Sequence, residues 1–176
     1  MGDLSPLKPP QPLTDQHSTG GFDCGDSNLN QWLVQRALAN QRSGATRTLV
    51  VCDRDDMIKA YVALASGAVA VSASPGRFRR NMPDPIPVVV LARLAVCRSA
   101  QGQGLARAVL ADAFERVLQA SEHIGVRGIL VHAASAAARS FYLHMGFDPS
   151  PTHPDTLLLR LVDVEAALQH SPMTGD

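Results

Sequence analysis

The run Val88-Val-Val-Leu-Ala-Arg-Leu-Ala-Val96, closely followed by Gln101-Gly-Gln-Gly-Leu-Ala106, limits what this chain can fold into. A β-branched apolar run reads as a buried strand. The glycine-punctuated turn after it opens a helix, expected over 104–121, in which Leu105/Ala106, Val109/Leu110, Ala113/Phe114 and Val117/Leu118 recur on one face. A second apolar run, Val126–Ala133, follows Gly125. Strand, helix and strand in this order make two parallel neighbours joined by a right-handed crossover, so the chain is an α/β protein. The helix N-terminus bunches backbone N–H groups at the positive end of its dipole, which is a site for an anion. Gly102 and Gly104 have no Cβ, so a pyrophosphate can approach their main chain. The turn lacks the lysine of a P-loop and the third glycine of a dinucleotide fingerprint.

With 176 residues, 45% of them apolar and 18% charged, the chain has the composition of one folded domain. No apolar run approaches the roughly 20 residues that span a bilayer, and Met1–Pro10 lacks the basic and apolar regions of a secretory signal. Cys24, Cys52 and Cys97 are too scattered for a disulfide framework or a zinc site, and no metal is expected. A cytoplasmic setting is the expectation. Net charge is zero, yet residues 57–111 hold Lys59, Arg77, Arg79, Arg80, Arg93, Arg98 and Arg107 against Asp84 alone. Such a concentration of positive charge suits an anionic, phosphate-rich ligand.

The Pro-rich residues 1–11 are expected to be loose, ahead of a short strand near 12–17. Asp26 or Ser27 caps a helix running to about Gln41, which Gly44 closes. Thr46–Asp53 and a long strand Ile58–Ala73 form an antiparallel pair. Ser74–Pro87 is rich in breakers and carries Arg77-Phe-Arg-Arg80, which reads as a loop with a short helical piece. Ser135 caps a helix ending at Gly146, and Phe147 with Thr156–Leu161 forms a closing hairpin. A short helix, then a frayed tail, is expected over 163–176.

Three segments resemble the GNAT-type N-acetyltransferases in order and spacing. They are Gln101-x-x-Gly-x-Ala106, the βαβ unit behind it, and Phe141-Tyr-x-x-x-Gly-Phe147 on the fourth helix of that fold. The likeness covers residues 12–162 and implies a mixed sheet of six to seven strands flanked by about four helices, with splayed parallel strands holding acetyl-CoA. Phe22-Asp-Cys-Gly25, Leu29-Asn-Gln-Trp-Leu33, Arg80-Asn-Met-Pro-Asp-Pro-Ile-Pro87 and Val131-His-Ala133 are similar to segments of the toxin branch of bacterial toxin–antitoxin pairs. That branch implies acetylation of the α-amine of aminoacyl-tRNA and a block of translation. It also implies a ribbon-helix-helix antitoxin as partner, and a homodimer.

Within this resemblance Leu94, Ala95 and Val96 run along the pantetheine arm, and a backbone N–H near Leu94 or Ala95 polarises the thioester carbonyl. The backbone from Gln101 through Gly102, Gln103, Gly104 and Leu105 to Ala106 holds the pyrophosphate. Arg98 reads either as a charged contact to it or as an exposed loop arginine. Tyr142, by spacing alone, is either a core tyrosine or an acid; the resemblance makes it the donor of a proton to the departing thiolate. Neither His132 nor His144 stands out as a general base. An α-amine, with a pKa of about 7.7–8.0, is already partly neutral at pH 7, whereas a lysine amine at about 10.4 is not. A site without a strong base therefore suits an α-amine. Arg77, Arg79 and Arg80 are candidates for tRNA backbone contacts, and Arg93 points to the cleft or a dimer interface. Two other readings stay open. One is a GNAT enzyme for a small amine or protein N-terminus, indifferent to loss of the loop arginines; the other is a non-catalytic acyl-CoA-binding module, indifferent to Tyr142→Phe.

Overall fold

A computed structural model describes residues 6–170. Seven strands form one mixed sheet: β1 (Gln11–Pro12), β2 (Arg47–Cys52), β3 (Ile58–Val69), β4 (Ile86–Val96), β5 (Gly128–His132), β6 (Asp148–Pro149) and β7 (Thr156–Arg160). Their order is β1-β2-β3-β4-β5-β7-β6. The helices are α1 (Ser27–Trp32) and α2 (Leu38–Ser43), joined by a π-helical turn over Leu33–Ala37, then α3 (Gly76–Arg79), α4 (Leu105–Ser121), α5 (Ala136–His144) and α6 (Leu161–His170). The α/β class and the parallel pairing are as expected: β4 and β5 pair in parallel, with Val88 opposite Gly128 and Leu91 opposite Val131, and α4 lies between them in the chain.

The described residues divide into two compact units, 6–65 with 92–113, and 66–91 with 114–170. In the first, Asp26 caps α1 by accepting from the Asn28 and Leu29 N–H groups, and Gly44 ends α2 at φ +82°. These helices cover an apolar cluster that includes Leu33, Ala37, Val50, Tyr61 and Ala95. β2 and β3 are antiparallel, with Leu49 opposite Val62. The short first strand falls at Gln11–Pro12, slightly earlier than expected. Residues 6–11 are tied down: the Lys8 N–H donates to the Cys52 carbonyl at 2.8 Å and its ammonium pairs with Asp56. The rest of the segment expected to be loose, residues 1–5, lies outside the described residues.

In the second unit β3 stops at Val69 instead of reaching Ala73. Asp84 accepts from the Val71 N–H at 3.1 Å and Ser74 donates to the Ala70 carbonyl at 3.0 Å, turning Val71–Ala73 into a 3-10 turn. β4 begins at Ile86 and keeps Pro87 within it, the Pro87 carbonyl accepting from the Arg127 N–H at 2.9 Å. β5 is shorter than Val126–Ala133, and β7 pairs with both β5 and β6. Ser135 caps α5 through the Ala138 N–H, and Gly146 ends it at φ +101°. Helix α6 begins directly from β7. Any fraying over 171–176 lies outside the described residues.

Candidate active site

The glycine turn is built from the first unit. The ladder between β4 and β5 covers Val88–Leu91 and includes none of Ala92–Val96. The end of β4 that carries Leu94, Ala95 and Val96 therefore has no β5 partner. Ala95 is buried in the apolar cluster while Leu94 and Val96 are half-buried. A 3-10 turn, Arg98–Ala100, then leads into the exposed stretch Gln101–Gly104.

Gln101 serves as a brace for this turn. Its side-chain amide donates to the carbonyls of Val96 at 2.9 Å and Cys24 at 3.1 Å, and its N–H donates to Arg98 at 3.3 Å. Gly102 and Gly104 sit at φ +77° and +76°, a left-handed conformation that costs other residues roughly 1–2 kcal/mol. A Cβ at either would meet open space, so the main chain here faces outward unobstructed. Leu105, Ala106 and Arg107 open α4, and helix geometry leaves their N–H groups without intrahelical acceptors. A diphosphate has there an open approach, a row of N–H donors and the positive end of a 17-residue helix. The residues present fit such a group.

Arg98 has two attachments. Its N–H donates to the Asp23 carbonyl at 2.8 Å, and its guanidinium lies 3.7 Å from the Asp23 carboxylate. The Gly25 N–H holds that carboxyl below its ordinary pKa, with the Asn30 amide and Arg98 adding to the effect. A Cβ on Gly25 would come within 3.3 Å of the Arg98 guanidinium. The stretch Asp23–Gly25 is thus the wall against which the glycine turn is braced, a role its sequence does not announce because the contacts join residues about 75 positions apart. Arg93 is half-buried, its guanidinium 5.1 Å above the Trp32 ring and its Nη1 donating to the Ala92 carbonyl. Trp32 stacks in turn on Tyr61, whose hydroxyl donates to the Leu29 carbonyl at 2.8 Å.

Tyr142 and the loop arginines belong to the second unit. Tyr142 lies on α5, 6% exposed, with its ring edge-on to Phe141 and Phe147. Among the described residues nothing hydrogen-bonds its hydroxyl. Burial pushes its phenol well above the ordinary pKa of about 10, so it stays protonated throughout the physiological range. Arg77, Arg79 and Arg80 are all exposed, but they differ. Arg77 is held by Asp148, its Nε donating at 3.0 Å, whereas Arg79 and Arg80 form no ion pair among the described residues. Arg127, which the sequence does not single out, donates from Nε to the Phe78 carbonyl and from Nη2 to the Arg77 carbonyl, both at 2.8 Å. His132 bonds Thr156 at 2.9 Å. Among the described residues no cluster of three His, Cys, Asp or Glu side chains is arranged to hold a metal, and no helix is long and apolar enough to cross a membrane.

Residues 44–149 match the acetyltransferase (GNAT) domain family. Over 165 residues the chain is 46% identical to a tRNA-acetylating toxin of Mycobacterium tuberculosis, covering 94% of this chain and 99% of that protein. The structure is similar to AtaT complexed with acetyl-methionyl-tRNAfMet, with a TM-score of 0.85 at 29% identity over 92% of this chain and 98% of AtaT. It is also similar to a tyrosine-to-phenylalanine mutant of AtaT bound to the C-terminus of the antitoxin AtaR and acetyl-CoA, with a TM-score of 0.78 at 27% identity over 93% and 99% of the two chains. A family model matched over residues 44–149 and a relative 46% identical along nearly its whole length place the chain: it belongs to the GNAT acetyltransferase family.

Proposed function

We propose that this chain transfers the acetyl group of acetyl-CoA to the α-amine of aminoacyl-tRNA and so blocks translation. It is then a toxin of the cytoplasm, restrained by an antitoxin of ribbon-helix-helix type and working as a homodimer. The observation that carries the reading is the likeness, along nearly the whole of both chains, to a tRNA-acetylating toxin. The site residues accord with it.

The backbone N–H groups from Gly102 to Ala106 receive the diphosphate, with Gln101 and Gln103 completing the turn around it. The free backbone at Leu94–Val96 pairs with the amide groups of the pantetheine arm as an added strand would, and an N–H at Leu94 or Ala95 faces the thioester carbonyl oxygen. Arg98 stands beside the turn. The acceptor nitrogen attacks the carbonyl carbon; the C–N bond forms, and the C–S bond breaks. The Tyr142 phenol hydrogen-bonds the sulfur as charge builds there and gives it a proton. The resulting phenolate takes back a proton of the new amide nitrogen, so no other base is needed. Tyr142 is protonated at neutral pH and so carries the proton this step needs, and its burial keeps it in that form. Arg79 and Arg80 contact phosphates of the acceptor, with Arg77 and Arg93 held by their partners alongside.

The test is transfer of labelled acetyl from acetyl-CoA to a pool of charged tRNAs. Label is expected on aminoacyl-tRNA and is expected to fall by about 100-fold or more in Tyr142→Phe. Acetyl-CoA binding without label on tRNA would overturn the reading and direct the search to small amines and protein N-termini.

A further inference from the structure

The exposed arginines Arg79 and Arg80 stand at the end of a four-residue helix, and a helix so short has no stability of its own. Three features around α3 make up for that. Arg127 forks onto the Arg77 and Phe78 carbonyls, near the negative end of the helix, with its guanidinium 5.9 Å from the centre of the Phe78 ring. The Asp148 carboxylate holds the Arg77 side chain. Phe78, only 2% exposed, packs with Ile86, Val88, Leu130 and Leu158. Gly128 leaves room for its ring, since a Cβ there would come within 2.8 Å of it. Arg127 is itself fixed at both main-chain groups, its N–H donating to Pro87 and its carbonyl accepting from Leu161.

We infer that Arg127, assisted by Asp148, is a positioning residue for the acceptor: its fork on the Arg77 and Phe78 carbonyls holds α3 so that Arg79 and Arg80 meet the phosphates of the incoming polyanion. The inference rests on the acceptor reading above. It separates three arginines close in sequence into one that locks (Arg77) and two that contact, and it gives the locking role also to a residue about 50 positions away. Only a planar fork reaches both carbonyls, so a lysine is no substitute.

The test is steady-state acetylation of charged tRNA by Arg127→Gln, Arg127→Lys, Asp148→Asn, the double variant Arg79→Gln/Arg80→Gln, and the triple variant adding Arg127→Gln to that pair. Both Arg127 variants are expected to raise the KM for charged tRNA about tenfold with kcat and the KM for acetyl-CoA unchanged, and Asp148→Asn to raise it less. The triple variant is expected to be little worse than the double, because Arg127 acts through those two residues. Rescue by Arg127→Lys would overturn the inference, since charge alone would then suffice. Full multiplication of effects in the triple variant, or a fall in kcat alongside a raised acetyl-CoA KM, would overturn it as well. If an Arg127 variant fails to fold, Asp148→Asn decides, and an unchanged tRNA KM there counts against the lock. An unchanged tRNA KM in the double variant is a different failure: it sinks the phosphate-contact reading on which the inference stands.

Discussion

Three glycines answer to opposite demands. At Gly128 an added Cβ would lie 2.0 Å from the Leu159 carbonyl oxygen and 2.8 Å from the Phe78 ring, so Gly128→Ala is expected to destabilise by about 1–3 kcal/mol, read by denaturant unfolding. At Gly102 and Gly104 space is open but φ is positive. Gly104→Val is therefore expected to cost roughly 1–2 kcal/mol of stability and, separately, to raise the KM for acetyl-CoA by blocking the turn. The turn glycines are legible in the sequence because their reason is local. Gly128 is not, because its reason is a ring from α3 and a carbonyl from β7. The same holds for Arg98, whose Asp23 partner no spacing rule reveals. A pH effect belongs to Asp163: Arg160 grips it with Nε at 2.8 Å and Nη2 at 3.2 Å and holds its carboxyl below the usual range. The folded chain then binds this proton less readily than the unfolded one. The pair's stabilisation is complete above about pH 4–5 and is lost as pH falls through the lowered pKa. Asp163→Asn is expected to flatten the acid side of the stability profile in thermal melts across pH.

Elements with local signals were readable, and elements set by distant partners were not. The Asp26 and Ser135 caps, the Gly44 and Gly146 stops and the apolar stripe of α4 fall where the residues put them. Asp26→Ala is expected to cost about 1 kcal/mol in unfolding experiments, because the Asn28 and Leu29 N–H groups lose their acceptor. The break of β3 at Val69 was hidden. Val71-Ser-Ala73 continues a strand-like composition, and it is Asp84, thirteen residues on, that takes the Val71 N–H out of the ladder. The π-helical turn between α1 and α2 has no local mark either. The chemistry of the site follows the same division. The row of N–H donors at α4 is written in six consecutive residues, whereas the lock on α3 is written in Arg77, Arg127 and Asp148, which no motif connects.

On the scale of the molecule, the sheet places its long central strands between short ones. β1 at one edge and β6 at the other are each two residues long, and each contains a proline, Pro12 and Pro149. A strand that brief offers almost no ladder, and a proline removes one of its few donors. Among the described residues, neither border of the sheet then offers a ladder long enough to template a second copy by strand addition. Their self-association is directed to side-chain faces, and a population held at high local concentration is guarded against edge-to-edge polymerisation. Replacing Pro12 or Pro149 by a β-branched residue removes one of these guards, and its consequence would appear as turbidity on concentration, not as a change in turnover.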